Sequence, residues 1–477
     1  MDDGSNLIKD EVKKMFKISI NDQNIAITRG FNMAFGNLST SLLESLNQEV
    51  IDTLIKNAVP KGTEADDAET RKQAVRSLVQ VTETLGIKKI KPEQRTEILE
   101  TLYRGYEDYA IDKRGDVGSW VRQESMIQLL KFVDLVVSSE DQELISGLGA
   151  DSSAFYERYI AQTLQQLNEK IDRIREHAGR CLQKFFKFVA PKVAVDFSAK
   201  DELVSLFVSY ELEGFENEQL ALDDDIAFLP WRKPQFVFNA IRPFFDQEAY
   251  SISILKGLIT SSGGLTESTL KASQNTLFEY LSQMSEIKDE NGQLDKAATI
   301  AKKKQFIKKL CTLYEQNQKV DRVTVPLMKT IENLLGTDYL TDEELQEDLV
   351  EIHRLSVAEC NKSKNIHKLL AGIGVFSGLM NSSNTELAGK GIKTILFLLY
   401  HNFPKVRQLA AEKLYTGLMA MEDHAALMPG GEDAYEEFDE MITVTDWSQD
   451  VKKLTAETKV QMYAFFGHEA KLPKAKE

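Results

Sequence analysis

Cysteine is scarce in this chain, and the spacing of the few that occur excludes two ways of stabilising a fold. The 477 residues contain three cysteines, Cys181, Cys311 and Cys360, which lie far apart in the sequence. Disulfide frameworks and zinc sites need paired or closely spaced ligands, so we expect neither. The six histidines do not occur at metal-ligand spacing, and no HExxH motif is present. This usage is typical of a reducing compartment, and we predict no metal site.

Long apolar runs are missing as well. The strongest apolar run is Ile395–Tyr400, which is far shorter than the roughly 20 residues that a helix needs to cross a membrane. The N-terminus, MDDGSNLIKDEVKKMFK, begins with acidic residues and lacks the basic start and apolar run of a signal peptide. We therefore expect no membrane insertion and a cytoplasmic location.

Positive charge is in deficit. The formal net charge is −16 and the isoelectric point is about 5.1. Phosphate binding needs a local excess of lysine and arginine, so nucleic acid is not expected as the main partner. The densest basic run, Thr299–Lys309 (TIAKKKQFIKK), is interpreted as a solvated helix face.

Motifs for catalysis or nucleotide binding are also lacking. No glycine is followed by Lys-Ser or Lys-Thr at the spacing of a P-loop. The segment Gly372–Gly378 (GIGVFSG) loosely resembles a nucleotide fingerprint, but it lies inside a helical pattern with no preceding strand. Its small residues are better explained by close helix packing. The sequence therefore predicts no catalytic residue and no cofactor-binding residue.

Helical periodicity is what the chain has in abundance, and it is clearest from Asp108 to Val137. This stretch predicts the end of one helix, a tight turn punctuated by Gly115 and Gly118, and a second helix whose apolar stripe begins at Trp120. No segment of the chain alternates apolar and polar residues for long enough to predict a strand.

The second helix of this stretch follows a spacing that occurs four times. Val121, Ser125 and Leu129 share one face, and Arg122 follows the first of them. The same template, V/I/T-R-x-x-A/S-x-x-x-L, places an arginine at each of these positions: Arg71, Arg122, Arg175 and Arg407. The first three copies are almost evenly spaced, which predicts an all-α solenoid of stacked antiparallel helix pairs of the HEAT or armadillo type. The alternative is an irregular all-α protein with four ordinary amphipathic helices.

The pattern divides the chain into four parts. Residues 1–192 predict a first helical-repeat array, and residues 244–450 predict a second. Between them, residues 193–243 break the pattern, and we predict an irregular connector that is acidic from Glu211 to Asp225 and contains prolines. Residues 451–477 predict a terminal helix and a charged tail.

Two local patterns lead to specific helix boundaries. The apolar face of Asn24–Leu46 predicts one helix over that stretch. Thr341 and Glu344 have the spacing of a capping box, with Leu340 and Leu345 as its hydrophobic staple, so we expect a helix to begin after Thr341.

The candidate interface residues lie at the repeat turns and helix starts: Asp116, Trp120, Arg122, Arg175 and Arg407. Arg122 lies in the first turn of its helix, close to Asp116 in the preceding turn, and we interpret this pair as a brace between repeats. A partner contact is the alternative. If the pair is exposed, it stabilises the fold by only about 0–1 kcal/mol.

Six segments resemble a known family in their order along the chain: DYAIDKRGDVGSWVRQESM, EKIDRIREHA, GGLTESTLKASQNTLFEYL, RVTVPLMKTIENLL, SKNIHKLLAGIGVF and FPKVRQLAAEKLYTGL. They resemble the C-terminal part of the tubulin-folding cofactor D family, and the similarity covers about residues 25 to 465. The family's long N-terminal solenoid has no counterpart here, so this chain is expected to be a fragment, a truncated gene model or one piece of a split protein.

The resemblance implies a HEAT/armadillo solenoid that works in post-chaperonin assembly of the α/β-tubulin heterodimer. It implies binding to β-tubulin and to an Arf-like small GTPase, and action with cofactors C and E to stimulate GTP hydrolysis by tubulin. The family supplies no catalytic residues to transfer, so a non-catalytic, cytoskeleton-associated chaperone is expected.

Two other functions stay open on the residues alone. One is a generic HEAT-repeat scaffold or adaptor, of the transport or phosphatase type, without tubulin specificity. The other is an enzyme, although no residue is predicted to carry a reaction. The partners captured by the protein would distinguish the first of these from a tubulin cofactor.

Overall fold

The chain folds into two compact units, Met1–Leu258 (unit 1) and Ile259–Glu477 (unit 2). The computed structural model describes residues 10–11, 14–15, 24–60, 67–149, 151–208, 230–263, 266–421 and 427–470. The predicted acidic run Glu211–Asp225 and the charged residues 471–477 lie outside these ranges. The division into four parts stays a prediction.

Unit 1 is built from helices of 5 to 21 residues and from one very short β-hairpin. The helices are α1 (Ile25–Gly36), α2 (Thr40–Ala58), α3 (Ala68–Leu85), α4 (Pro92–Tyr106), α5 (Gly118–Ser138), α6 (Gln142–Ser146), α7 (Ser152–Leu167), α8 (Asp172–Lys184), α9 (Lys200–Val208), α10 (Pro234–Ile241) and α11 (Glu248–Ser262), whose last residues belong to unit 2. A π-helical turn, Phe185–Val189, continues α8. Strands β1 (Ile111–Asp112) and β2 (Gly115–Asp116) pair antiparallel.

The helices of unit 1 stack in two layers. Consecutive helices form the pairs α2/α3, α4/α5 and α7/α8. The second members also contact one another, α3 against α5 and α5 against α8, as do α2 and α4 in the other layer. This arrangement, in which each pair buries one face within itself and another against its neighbour, is that of a HEAT/armadillo-type repeat array.

The template positions explain why α3, α5 and α8 pack in this way. Val121, Ser125 and Leu129 are all 0% exposed. Ser125 has a specific role, since a Cβ added at Gly105 of α4 would lie 1.9 Å from the Ser125 Oγ. Two small residues therefore let α4 and α5 approach closely, as the template predicts.

Unit 2 repeats the two-layer scheme with its own helices. They are α12 (Glu267–Ser285), α13 (Lys296–Gln316), α14 (Asp321–Leu335), α15 (Gln346–Cys360), α16 (Ile366–Met380), α17 (Thr385–Leu398), α18 (Pro404–Met419), α19 (Gly431–Val444) and α20 (Ala456–Ala464). The pairs are α13/α14, α15/α16 and α17/α18, with α13, α15 and α17 stacked in one layer and α14, α16 and α18 in the other.

The glycines of Gly372–Gly378 lie in α16 and have the packing role that the sequence predicts. An added Cβ would lie 2.4 Å from the Cys360 Sγ at Gly372 and 2.7 Å from the Leu335 Cβ at Gly378. A larger residue at either position would therefore push α16 away from α15 or α14. Within the described part of the chain, no helix has the length and apolar content of a membrane span.

Two boundary predictions are wrong. The stretch Asn24–Leu46 contains a break at Asn37–Ser39, where α1 ends and α2 has not begun. The Asn37 side-chain Nδ2 donates to the Met33 carbonyl at 2.8 Å, so a local side-chain bond competes with continued helix.

The capping box at Thr341 is also wrong. The Thr341 hydroxyl donates backward to the Asp338 carbonyl at 3.0 Å, and α15 begins at Gln346 after a 3-10 turn, Glu343–Leu345. The same competition between local hydrogen bonds explains this miss, because a threonine hydroxyl that is already donating to a preceding carbonyl is turned away from the helix start.

Candidate functional site

The arginine near the start of each template helix is buried and joins that helix to neighbouring turns. Arg71 of α3 donates from Nε and Nη2 to the two carboxylate oxygens of Asp108, at 2.7 Å and 3.1 Å. Asp108 lies in the turn after α4, so the bond joins consecutive helix pairs. Both side chains are 2% exposed.

Arg122 of α5 makes a wider set of contacts in the same region. Its Nη1 donates to the Asp108 carbonyl at 2.6 Å, and its Nη2 donates to Asp116 Oδ2 at 2.9 Å. Its Nη2 also lies 3.7 Å from Glu169 Oε1, and the guanidinium lies 4.1 Å from the centre of the Tyr109 ring. Burial works to lower the pKa of Arg122, but Tyr109 and the two carboxylates outweigh it and leave this pKa above its ordinary value.

Arg175 of α8 continues the pattern by binding carbonyl oxygens. Its Nη1 donates to the carbonyls of Glu169 and Lys170 at 2.8 Å and 3.0 Å, and its Nη2 donates to the Arg232 carbonyl at 2.5 Å. No carboxylate accepts from it at hydrogen-bond distance among the described residues, and burial lowers the pKa of Arg175 to about 10. Glu169 thus joins two repeats, since its carboxylate faces Arg122 and its carbonyl accepts from Arg175.

Arg407 of α18 is the equivalent residue in unit 2. Its Nη1 donates to the carbonyls of His401 and Asn402 at 2.6 Å and 3.1 Å, just before its own helix. Its Nε donates to the Trp447 carbonyl at 3.1 Å, and its Nη2 donates to that of Gln449, in the segment after α19. Burial lowers the pKa of Arg407.

These geometries correct the expectation of an exposed pair. Arg122 and Arg407 are 0% exposed, and Arg71 and Arg175 are 2% exposed. Loss of one partner from such a buried contact costs about 3–5 kcal/mol rather than the 0–1 kcal/mol of an exposed pair. The sequence offered no sign of this burial, because arginine in a first helical turn is ordinarily solvated. A contact between these arginines and a partner protein stays a prediction.

The surface best placed for a partner is a groove across α3, α5 and α8 (the α3/α5/α8 groove). It has a volume of about 350 Å³, and its walls come from the N-terminal halves of three successive template helices. Trp120 and Ile127 of α5 line it and are half-buried. Arg71, Arg122 and Arg175 lie one or two residues from this surface, so they fix the helices that form it.

Two ion pairs balance part of the charge in the α3/α5/α8 groove. Arg76 donates to both carboxylate oxygens of Glu124, at 2.9 Å and 2.6 Å, and this carboxylate raises the pKa of Arg76. Glu69 Oε2 lies 2.8 Å from Arg29 Nη1. Lys72 and Arg173 also line the groove, and among the described residues their side chains have no ion-pair partner.

Sequence reasoning selected Trp120 for this surface but missed Lys72, Arg76, Glu124 and Arg173. Arg114, from the β-hairpin, lies 4.9 Å from the centre of the Trp120 ring. The missed residues come from three helices that are about fifty positions apart in the sequence. The template period could have found them, since Lys72 and Arg173 lie within two residues of Arg71 and Arg175.

The three cysteine thiols are shielded from solvent to differing degrees, and this burial affects their protonation. Burial raises the pKa of the thiols of Cys181, Cys311 and Cys360 to about 12, which keeps them protonated at neutral pH. Across the residues that the structure describes, no group of three or more histidine, cysteine, aspartate or glutamate side chains is arranged to hold a metal ion.

Comparison with solved structures gives only weak likenesses. A crystal structure of importin beta is 11% identical, with a TM-score of 0.28 and coverage of 91% of this chain and 55% of that chain. Kap121p bound to Nup53p is 12% identical, with a TM-score of 0.25 and coverage of 96% and 52%. The fold assignment therefore depends on the helix contacts of this chain alone.

Sequence comparisons give a more specific result. Residues 157–368 match the family model described as tubulin folding cofactor D C terminal. Tubulin-specific chaperone D from Dictyostelium discoideum is 25% identical over 434 residues, covering 82% of this chain and 28% of that protein. The chain thus spans less than a third of the length of the curated relative. Residues 157–368 are therefore similar to the C-terminal region of tubulin folding cofactor D, and most of the chain is similar to a tubulin-specific chaperone D.

Proposed function

We propose that this chain is a tubulin-folding cofactor that acts as a non-catalytic chaperone in assembly of the α/β-tubulin heterodimer. The observation that carries the proposal is the match of residues 157–368 to the cofactor D C-terminal family, extended by the similarity to tubulin-specific chaperone D. Since the chain spans 28% of that relative, tubulin binding by this part is itself part of the proposal.

The proposed partner is β-tubulin. Cofactors C and E and an Arf-like small GTPase act with the protein, and the assembled complex stimulates GTP hydrolysis by tubulin in the cytoplasm, near the cytoskeleton. In this scheme the hydrolysed nucleotide and the reacting groups belong to tubulin, and the chain supplies a surface that holds its client in one conformation.

The buried arginines support a role as a firm surface. Arg71 ties α3 to the turn of the next pair, and Arg122 and Arg175 tie α5 and α8 to the turns that precede them, through bonds of 2.6–3.1 Å. A surface that is already ordered loses little conformational freedom when a partner binds, so more of the contact energy appears as affinity.

Binding to purified β-tubulin tests the proposal directly. The chain is immobilised, and capture is measured against increasing β-tubulin, with actin as a second client and importin beta as a control helical-repeat protein. We expect saturable capture of β-tubulin by this chain, and little capture of actin. Full-length tubulin-specific chaperone D of Dictyostelium discoideum serves as the positive control.

A GTPase assay tests the second part of the proposal, which is that the complex stimulates GTP hydrolysis by tubulin. Tubulin GTP hydrolysis is followed with cofactors C and E, with and without the chain. We expect faster hydrolysis only when the chain and both cofactors are present. Absence of saturable β-tubulin capture by this chain, while the full-length control binds, would remove the proposal for this part of the protein.

A further inference from the structure

We propose that the α3/α5/α8 groove binds a short acidic peptide segment that carries an apolar or aromatic side chain. This proposal goes beyond the tubulin assignment and depends only on the groove, so it can stand or fall independently. The chemistry of the occupant follows from three features of the groove: its unpaired cations, its half-buried apolar side chains and its size.

The charge of the groove is opposite to that of the chain. The net charge of the chain is −16, yet the groove contains the cations of Lys72 and Arg173, which have no ion-pair partner among the described residues. Its two carboxylates, Glu69 and Glu124, are already paired with arginines at 2.8 Å and 2.6 Å. Two unpaired positive charges therefore face the groove, and carboxylates of a partner would complement them.

Two apolar side chains, Trp120 and Ile127, interrupt the mainly polar lining of the groove. Trp120 is half-buried beside Ile127, and the guanidinium of Arg114 lies 4.9 Å from its ring centre. A tryptophan face with an adjacent aliphatic side chain suits an aromatic or apolar residue of a bound segment. Gln123 adds a polar group, since its Nε2 has no hydrogen-bond partner in the part of the chain that the structure describes.

The small volume of the groove and the net negative charge of the chain argue against nucleic acid as the occupant. A volume of about 350 Å³ accommodates a few side chains of an extended segment. A nucleic acid would extend beyond the groove over the surface of a chain with 74 acidic and 58 basic residues, where each further phosphate meets repulsion. A short peptide can keep its carboxylates at the two cations.

Tryptophan fluorescence provides a direct readout of binding. The chain has three tryptophans, and Trp231 and Trp447 are 0% and 6% exposed, whereas Trp120 is half-buried in the groove. The probe is a synthetic glutamate-rich peptide with one central phenylalanine, titrated into the whole chain. We expect a saturable change in fluorescence that Trp120→Phe removes, and a dissociation constant that rises with salt.

Matched charge variants locate the site. In Lys72→Glu/Arg173→Glu the dissociation constant, measured by calorimetry, is expected to rise at least about tenfold, because two attractive charges become repulsive. Lys56→Glu/Lys88→Glu makes the same change in net charge at two exposed lysines outside the groove, and less than about a twofold change is expected. Circular dichroism checks that each variant is folded, and Lys72→Gln/Arg173→Gln provides a milder version.

The outcomes separate this proposal from the tubulin assignment. Loss of peptide binding in the groove variants alone supports the groove as the site. The proposal would be overturned if the peptide did not bind, or if the control variant lost binding to the same extent. It would also be overturned if the peptide bound more tightly with glutamine in place of glutamate, or if the groove preferred a single-stranded oligonucleotide. Because the probe contains no tubulin sequence, failure of the peptide leaves β-tubulin capture untouched, and failure of β-tubulin capture leaves the peptide result untouched.

Discussion

The two units stack their helices in the same way but join consecutive pairs with different chemistry. In unit 1, Arg71 and Arg122 face the carboxylates of Asp108 and of Asp116 and Glu169. In unit 2, Arg407 donates to backbone carbonyls on both sides of its helix. Arg71 and Arg122 of unit 1 are therefore balanced by carboxylates, whereas Arg407 of unit 2 is balanced by peptide dipoles. Arg175 of unit 1 is held by carbonyls in the same way as Arg407.

A second buried cation of unit 2, Lys368, is balanced by carboxylates, as Arg71 and Arg122 are in unit 1. Lys368 of α16 lies 2.5 Å from Asp321 Oδ1 and 2.7 Å from Glu359 Oε2, and so joins α16 to α14 and α15. Burial works to lower the pKa of Lys368, but Asp321 and Glu359 outweigh it and raise this pKa. A compact ammonium group suits two converging carboxylates, while the planar guanidinium can reach carbonyls in several directions. A buried cationic hydrogen-bond donor thus connects helices at both places, and it can be either an arginine or a lysine.

The largest effect is expected for Arg122→Met, because it leaves the carboxylate of Glu169, which is 4% exposed, without its cation. We expect a loss of about 3–5 kcal/mol of unfolding free energy. Arg407→Met leaves only neutral carbonyls, so about 1–3 kcal/mol is expected there. Chemical denaturation of each variant measures the difference, with hydrogen exchange to show which unit opens.

Lys88→Met serves as the control for both variants, since Lys88 is exposed and its replacement should change stability by less than about 0.5 kcal/mol. An equal loss of unfolding free energy for Arg122→Met and Arg407→Met would show that the cost does not depend on whether the arginine faces carboxylates or carbonyls.

Much of the fold could be predicted from the sequence, and the parts that could not share a cause. The template placed Val121, Ser125 and Leu129 correctly on a buried face, because apolar spacing reports packing directly. The burial of Arg122 and Lys368 depends on carboxylates from other parts of the chain, such as Glu169 and Asp321, and a single sequence does not show which segments approach. The breaks at Asn37 and Thr341 depend on local hydrogen bonds that compete with a helix.

The candidate groove was only partly predictable for the same reason. Trp120 was identified because it begins an apolar stripe, but Lys72 and Arg173 belong to other helices of the same layer. Only the contact of α3 with α5 and of α5 with α8 places them on one surface. The template period determines which helices are equivalent, and the charge of the groove then follows from residues that lie within two positions of the template arginines.

An intermediate effect is expected for Lys368→Met in unit 2. Glu359, which is 4% exposed, loses its cation but keeps a hydrogen bond from the Lys319 backbone N–H at 2.7 Å, and Asp321 is 44% exposed and can be hydrated. We expect a loss of about 2–3 kcal/mol in chemical denaturation. Adding Glu359→Gln should restore part of it by removing the uncompensated charge. No recovery in the double variant would mean that packing, rather than charge, dominates at this joint.

A smaller effect is expected where the two units use the same packing. Ala410 and Ala178 are the small template residues of α18 and α8, and both are 0% exposed. Replacing either by leucine should overpack its helix and cost about 1–3 kcal/mol in each unit. Gln408→Leu, at an exposed position of α18, is the matched control and should have little effect. Melting temperatures check this, and an unchanged value for Ala410→Leu would place that residue off the packed face.

The smallest effect is a difference in pH dependence between the units. Burial lowers the pKa of His353, His401 and His468, which all lie in unit 2. His353 packs against Phe376, with ring centres 5.6 Å apart, and its Nε2 lies 3.0 Å from Thr394 Oγ1. A histidine whose folded pKa lies below its unfolded value of about 6.5 makes the unfolded chain bind more protons, so stability falls as the pH drops below that value.

Hydrogen exchange at pH 7 and pH 5.5, corrected for the intrinsic rate, measures this difference unit by unit. We expect unit 2 to lose stability relative to unit 1, by less than about 1 kcal/mol for His353. His353→Gln keeps a polar group near Thr394 but cannot be protonated in this range, so it should remove part of the loss. Asp321 contributes to the pH dependence only at lower pH. Burial works to raise the pKa of its carboxylate, but the bonds to Lys368 and Asn365 outweigh burial and lower this pKa, so protonation weakens the contact with Lys368 only in more acidic solution. A loss that is equal in both units, or that His353→Gln leaves unchanged, would place the proton uptake elsewhere.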